Sequence, residues 1–397
     1  MAGLYIHIPF CKSRCTYCAF YSTTLLDLRQ RYVDAVCREM ESLASLPSKK
    51  MGSIETVYFG GGTPSQLTVR QLEQFFLYIN KVYQLPLSLE GDGRRPEVTI
   101  ECNPDDVTEE YAEALSQLPI NRVSMGAQTF DDQRLRFLNR RHTAQQVTKA
   151  VERLRRAGIL NISIDLMYGF PGESLSDWER DIDAAIALNV KHLSAYCLMI
   201  EEGTVLYEMI KTPSDSPCLG GELKSSLDRE DLGGSEELER AMYELLTDRL
   251  AAAGYEHYEI SNFAKHGYRS KHNSSYWNDV PYIGLGAAAH SYDGHHRSWN
   301  IADLKEYIRR AENGQSPIED SEEIVGWTRY NDRITVALRT CEGLDLTTLP
   351  NEQRDYCMKN ARRFLDDGLL KLDGSRIVLT RKGLFVSDMV MSELMNV

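Results

Sequence analysis

Apolar and polar positions alternate in two different rhythms along the first two hundred residues. Short runs rich in branched and aromatic side chains predict strands at Leu4–Ile8, Thr56–Phe59, Glu97–Cys102, Arg122–Ala127, Asn161–Met167 and His192–Met199. Between them apolar residues recur every three or four positions. That period predicts helices over Leu28–Ser45, Val69–Val82, Glu109–Leu118, Ala144–Ala157 and Ser176–Leu188. Thr143 is placed to cap the fourth helix and Gly158 to stop it. Six strand–helix units in a row predict a parallel sheet with crossover helices, either open and doubly wound or curled toward a barrel.

The polar residues decide between these two. In barrel enzymes the residues that meet ligands gather where the strands end. Here Cys11, Cys15 and Cys18 follow the first strand, and Gly60-Gly61-Gly62-Thr63-Pro64 follows the second. Glu101 ends the third, Gln128 follows the fourth, Asp165 lies late in the fifth and Ala195 lies in the sixth. Such a rim favours an α/β fold built on a partial six-strand (β/α) barrel. The glycine run is no phosphate loop, since no Gly-Lys-Ser/Thr follows it. It reads as backbone that lets a bound group approach, with amides free to donate.

The cysteines stand at i, i+4 and i+7. A structural zinc site takes four protein ligands, and ordinary ferredoxin clusters take four cysteines at other spacings. Cys15 and Cys18 alone could form a redox pair or half a zinc site, which would leave Cys11 idle. Three thiolates with one vacancy suit an iron–sulfur cluster whose open iron holds a small ligand. Glu101, Asp165, Gln128 and Arg140 fit a zwitterionic, ribose-bearing ligand, because carboxylates accept from hydroxyls and arginine grips a carboxylate in bidentate fashion. Each of these four alone could be no more than a loop-pinning or solvated residue.

Beyond about Glu201 the pattern changes. Lys211–Glu236, with Cys218 isolated in it, is rich in Ser, Gly, Asp and Pro and reads as an exposed loop or linker. A helix is expected over Leu238–Ala252. A dense aromatic and histidine stretch follows: Gly254–Phe263, then His272-Asn273-Ser274-Ser275-Tyr276-Trp277, then Gly284–Ser291. It reads either as packing on the open side of the barrel or as a flat aromatic site for a macrocycle. The end of the chain predicts a helix at Leu349–Asp366, a hairpin through Gly368–Thr380 and a helix from Lys382 to Met395. This order is winged-helix-like and more suited to a cap or docking surface than to DNA. The expected organisation is therefore a barrel over 1–205, a linker over 206–236, a barrel extension over 237–320 and a smaller α+β domain with a winged-helix-like end over 321–397.

Composition narrows the function classes. The chain of 397 residues carries a net charge of −13, which argues against a nucleic-acid partner. It has no apolar run long enough to span a membrane and no secretory signal pattern. Nine scattered cysteines fit reduced thiols in a cytoplasmic setting.

The spacing Cys11-x3-Cys15-x2-Cys18 after Tyr5-Ile6-His7-Ile8-Pro9-Phe10 resembles the radical S-adenosylmethionine (SAM) superfamily signature. With Gly60–Pro64, Ile164–Gly172 and His272–Trp277, nearly the whole chain resembles the oxygen-independent coproporphyrinogen III oxidase-like family, and within it the branch of heme chaperones. The resemblance implies a [4Fe–4S] cluster on Cys11, Cys15 and Cys18. It implies a SAM pocket lined by Tyr5, Gly61, Gly62, Thr63, Glu101, Gln128, Arg140 and Asp165, joined by Tyr17 and Ala195. The HNxxYW pattern, here His272, Asn273, Tyr276 and Trp277, implies a heme site, and the branch implies heme-accepting partner proteins, membrane-bound ones contacted peripherally among them. Two departures separate the chain from the decarboxylating oxidase: Phe20 stands where the oxidase has a fourth cysteine, and strand one begins at Leu4 without the oxidase's N-terminal extension. The expected function is heme binding and delivery. The alternative is oxidative decarboxylation of coproporphyrinogen III; radical modification of a tRNA is weakened by the acidic balance.

Overall fold

The computed structural model describes residues 2–44, 53–85, 95–211 and 236–397. The six predicted strands form: β1 (Ala2–Ile8), β2 (Ile54–Gly61), β3 (Glu97–Cys102), β4 (Arg122–Gln128), β5 (Asn161–Tyr168) and β6 (His192–Cys197). They pair in parallel and in sequence order, β1 through β6. Helices Arg29–Ala44, Val69–Tyr83, Glu109–Ser116, Ala144–Arg156 and Leu175–Ala187 return the chain between strands. Thr143 caps the fourth of these through a capping box with Gln146, as expected.

The strands are two-faced. Leu4, Ile6, Ile8, Val57, Phe59, Val98, Ile100, Val123, Met125, Ile162, Ile164 and Leu193 belong to the buried apolar core. The alternate positions put Tyr5, Tyr58, Thr99, Arg122 and Asn161 side by side across β1 to β5, through the pairings Tyr5↔Tyr58, Tyr58↔Thr99, Thr99↔Arg122 and Arg122↔Asn161. Because side chains alternate between the two faces of a strand, one face packs on helices while the other makes a polar lumen.

The sheet does not stop at six strands. β7 (Glu256–Glu259) and β8 (Asn262–Ala264) extend the β6 edge antiparallel. On the other edge β9 (Tyr282–Leu285) runs parallel to β1, followed by β10 (His290–Tyr292), β11 (His296–Asn300) and β12 (Ile318–Glu323). The result is one twelve-stranded sheet with the six-strand barrel at its centre. The outermost strand, Ile-Glu-Asp-Ser-Glu-Glu, is exposed throughout, and its charges protect the edge from further pairing. Beyond it, β13 (Leu344–Asp345), β14 (Leu370–Asp373) and β15 (Arg376–Leu379) form a small separate sheet, and residues from Tyr330 to Leu394 share a second apolar core.

Three details differ from expectation. Gly383 has its backbone against Leu369, and the expected last helix breaks into Arg381–Leu384 and Ser387–Leu394. Asp131 caps an additional short helix, Asp132–Phe137, after β4. The linker expected at 206–236 begins as a helix, Val205–Lys211, and its remainder through 235, with Cys218, lies outside the described residues.

Glu39 fastens the β9–β12 edge to the barrel. Buried on the first helix, it accepts from the Gly286 amide (2.9 Å), Asn300 Nδ2 (2.7 Å) and the Tyr307 hydroxyl (2.5 Å). Removing the carboxylate strands three buried donors, each costing about 1–3 kcal/mol when left unpaired. Glu39→Ala should therefore lower the unfolding free energy by roughly 3 kcal/mol or more in urea titration, and Glu39→Gln, which keeps one acceptor oxygen but sets an amide donor against Asn300 or against Gly286 and Tyr307, should recover only part of that loss.

Candidate functional site

The loop after β1 is tied down at both ends before it presents its cysteines. The Thr23 amide donates to Pro9 O (2.7 Å) and the Cys11 amide to Thr23 O (2.9 Å). In its middle the Thr16 amide donates to Leu138 O, the Leu206 amide to Thr16 O, and Asn139 Nδ2 to Arg14 O (2.8 Å). Cys11, Cys15 and Cys18 are all free thiols. Cys11 lies within 3.3 Å of the Thr63 hydroxyl, and Arg140 Nη1 donates to Cys15 Sγ at 3.4 Å. Burial raises the Cys11 and Cys18 thiols above their ordinary value; the Thr63 contact opposes this at Cys11 and the Phe20 backbone at Cys18.

Among the described residues no three His, Cys, Asp or Glu side chains converge as a single metal ion requires. A cluster offers a separate iron to each thiolate, so its ligands need not meet at one point. The donor set of three cysteines, with a guanidinium beside one of them, fits an anionic iron–sulfur cluster. Arg140 is the buried cation here: its Nη2 donates to Asn103 Oδ1 (2.8 Å) and Gly126 O (2.7 Å), while its Nε is buried without a partner.

Around the same mouth, Glu101 accepts from the Tyr58 hydroxyl (2.8 Å) and the Gly61 amide (3.1 Å). Burial raises its carboxyl to about 7, offset in part by the Tyr58 bond. Burial likewise lifts Asp165 to about 6, opposed by hydrogen bonds from Ser194 and Ser124 and by Arg122 and Arg140. Gln128 is held at φ 66° where β4 slips register against β5. Left-handed backbone outside glycine is costly and is kept where surroundings demand it. Tyr17 lies close enough to Arg140, Cys15, Cys18 and Asp165 to feel their charges.

Three expectations need restating. The glycine run does not offer free amides: Gly61 N donates to Glu101 and Gly62 N to Ile8 O (2.9 Å). Its glycines are required by the protein itself, since a Cβ at Gly61 would lie 2.6 Å from the His7 ring and one at Gly62 2.8 Å from the Pro9 backbone. Ala195 pairs with Leu166 and sits with it in the apolar core, so its side chain faces the helices and only its backbone borders the lumen. Tyr5 lies a layer below the mouth, its ring against both Tyr58 (6.1 Å) and His272 (6.3 Å), which themselves stack on each other.

The HNxxYW stretch lies at the other end of the barrel. It forms the helix Lys271–Trp277, whose first amides donate to Glu97 at the start of β3, from His272 N at 3.1 Å and Lys271 N at 3.2 Å. His272 is buried, with Nδ1 2.8 Å from the Thr56 hydroxyl and Nε2 2.9 Å from the Tyr276 hydroxyl. Both ring nitrogens are thus committed. Trp277 meets Tyr258 edge-on (5.8 Å), and the Asn273 amide closes the helix cap on Ser270. The fold therefore separates these four residues from the cysteine loop by the depth of the barrel. The sequence reading missed the lumen residues that join the two ends: His7, Tyr58, Arg122 and His192. A polar residue at every second position of an apolar strand was the signal available for them.

The six-strand barrel and its three-cysteine loop define the class. The radical SAM superfamily model matches residues 5–185, and the HemN C-terminal domain model matches residues 326–386. The chain is 32% identical to "Heme chaperone HemW" of Bacillus subtilis over 98% of both chains, and 31% identical to the protein of that name in Mycobacterium tuberculosis over 99% of this chain and 95% of the other. It is 30% identical to the bovine "Radical S-adenosyl methionine domain-containing protein 1, mitochondrial" over 73% of this chain and 60% of that one. In structure it resembles the Escherichia coli coproporphyrinogen III oxidase HemN, with a TM-score of 0.80 over 100% of this chain and 90% of the other at 19% identity, which shows the fold alone. This chain belongs to the HemW family of radical SAM proteins.

Burial holds His272 at about 3 against an ordinary value of 6.5, with the Arg122 charge adding to it. The folded state therefore keeps this ring neutral where the unfolded chain protonates it, and stability is lost as pH falls below about 6.5. Replacing His272 by Gln should cost about 2–4 kcal/mol at pH 7 from lost hydrogen bonds and packing. The advantage of the native residue should shrink by roughly 2 kcal/mol at pH 5 in parallel denaturant titrations.

Proposed function

We propose that this protein is a heme chaperone that carries a [4Fe–4S] cluster and SAM at the upper mouth of its barrel. What carries this reading is the end-to-end relationship with proteins named as heme chaperones, which spans 98% of both chains in the Bacillus protein. Cys11, Cys15 and Cys18 would hold the cluster; Glu101, Asp165, Arg140, Gln128 and the Gly61–Thr63 backbone would hold SAM. When bound, the two groups supply one-electron reductive cleavage of a sulfonium.

The residues around them have separable tasks. Arg140 compensates thiolate charge beside Cys15 and fixes the Gly126 backbone. Thr63 steadies the buried Cys11. Glu101 and Asp165 are recessed carboxylates suited to hydroxyl donors, and the Tyr58 and Gly61 bonds aim the former. Phe20, at the position of the oxidase's fourth cysteine, is 71% exposed, so it adds an apolar surface to the loop and no fourth thiolate. Among the described residues no helix is long and apolar enough to cross a membrane. Heme and a heme-accepting protein are the partners of this reading.

The test joins both halves. Reconstituted wild-type protein should hold cluster iron, take up one heme per chain and pass it to an apo-hemoprotein added in excess. Cys15→Ser should lose most of the cluster iron; full retention would remove the cluster assignment. Failure of the wild-type protein to bind or release heme would remove the chaperone assignment.

A further inference from the structure

A cavity of about 450 Å³ opens where the sheet edge meets the helix Gly326–Ala337, close to the lower end of the barrel. The sheet contributes Tyr282, His290, Tyr292, Arg297 and Trp299 to its wall. The ladder sets these side by side: Tyr292 pairs with Tyr282 and with Arg297, and His290 pairs with Trp299. The facing helix contributes Arg329, Asp332, Arg333 and Val336, the spacing of a single helix face. Tyr276 of the HNxxYW stretch also lines it, whereas His272 is turned away into the barrel.

His290 differs in kind from the histidines of the lumen. His7, His192 and His272 each commit both ring nitrogens to hydrogen bonds. The ring of His290 is exposed, stacks on Trp299 at 5.8 Å and makes no side-chain hydrogen bond among the described residues. Its environment favours the neutral imidazole, through partial burial and the nearby Arg297 charge, and a neutral ring is the form that ligates metal.

The cavity's arginines are ion-paired within the protein, and Arg329 and Arg333 also donate to the Gly294 (2.6 Å) and Thr348 (2.9 Å) carbonyls. Arg297 meets Glu322 and Asp332, and Arg329 meets Asp279 at 2.6 Å, while Arg333 is 3.6 Å from Asp279. All six side chains keep a quarter to nearly a half of their surface in solvent. Ion pairs exposed to that degree are weak, of order 0–1 kcal/mol, so an incoming carboxylate can replace a protein partner. Aromatic walls, an open imidazole and exchangeable arginines are complementary to a planar metal-bearing macrocycle with two carboxylates.

Resting on the chaperone reading, we propose that this cavity is the heme site, with His290 as iron ligand and Arg297, Arg329 and Arg333 receiving the carboxylates. Its volume is in the range of small-molecule pockets and its open side leaves a macrocycle edge in solvent. A carrier needs such an edge, since an acceptor has to reach the cargo before the donor lets go.

Hemin titration followed by absorbance distinguishes the site from the function. The wild-type protein should bind one heme with a shifted Soret band. His290→Ala should abolish that shift and weaken binding by roughly tenfold or more, and Val336→Trp, which fills the cavity, should block binding. Circular dichroism and cluster iron should stay at wild-type levels in both, and His272→Gln should keep the wild-type heme spectrum. Wild-type affinity and spectrum in both His290→Ala and Val336→Trp would overturn the site while leaving the chaperone reading standing. Absence of heme binding in the wild-type protein would overturn that reading and the site with it.

Discussion

A parallel barrel whose inner face is polar has to satisfy that face from within, and this constraint shapes the molecule. Thr56, Tyr58, Glu97, Arg122 and His192 point into a lumen closed to bulk water at its lower end, where every unpaired polar group costs free energy. The helix Lys271–Trp277 answers much of that demand. Its His272 bridges Thr56 and Tyr276, its first amides meet Glu97, and its ring stacks on Tyr58 at 5.0 Å. Tyr258, from the opposite sheet edge, reaches His192 at 2.7 Å. Arg122 keeps Nε and Nη1 without partners, so the lumen is not fully satisfied by protein groups.

Plugging one end leaves the other free for chemistry. The cysteine loop, the glycine turn, Glu101, Asp165 and Arg140 share the upper mouth, while the plug connects downward through Tyr276 to the cavity beneath the β9–β12 edge. The two regions touch one continuous column of side chains, from His7 through Tyr5 and His272 to Tyr276. Glu39 completes the arrangement by holding the strands that carry the cavity against the barrel.

Much of this was legible because the barrel strands are long and their outer faces strongly apolar, so β1 to β6 and their helices stand out by period alone. The cysteine loop was legible because three thiols at a rare spacing have few other uses. The short strands β7 to β12 were not: several have three or four residues, and β12 reads as an acidic loop. The side of the sheet that Ala195 takes was not legible, because a buried alanine carries no polar mark to show it. A second reason for the glycine run, the His7 ring and the Pro9 backbone that leave no room for a Cβ, was not legible because it arises from packing between β1 and β2. His272 drew attention within the HNxxYW pattern; that it is the second residue of a helix entering a polar lumen, with both ring nitrogens hydrogen-bonded, was not legible before the fold.

The account divides the molecule into a cluster mouth and a separate cargo site, which predicts carriage of a finished tetrapyrrole without its synthesis. The most direct measurement is an anaerobic assay of the reconstituted protein with SAM, a reductant and coproporphyrinogen III, following the decarboxylated product. The account predicts no product while the cluster stays intact and heme remains bound stoichiometrically. Product formed over many turnovers would contradict it and make the chain an oxidase despite Phe20.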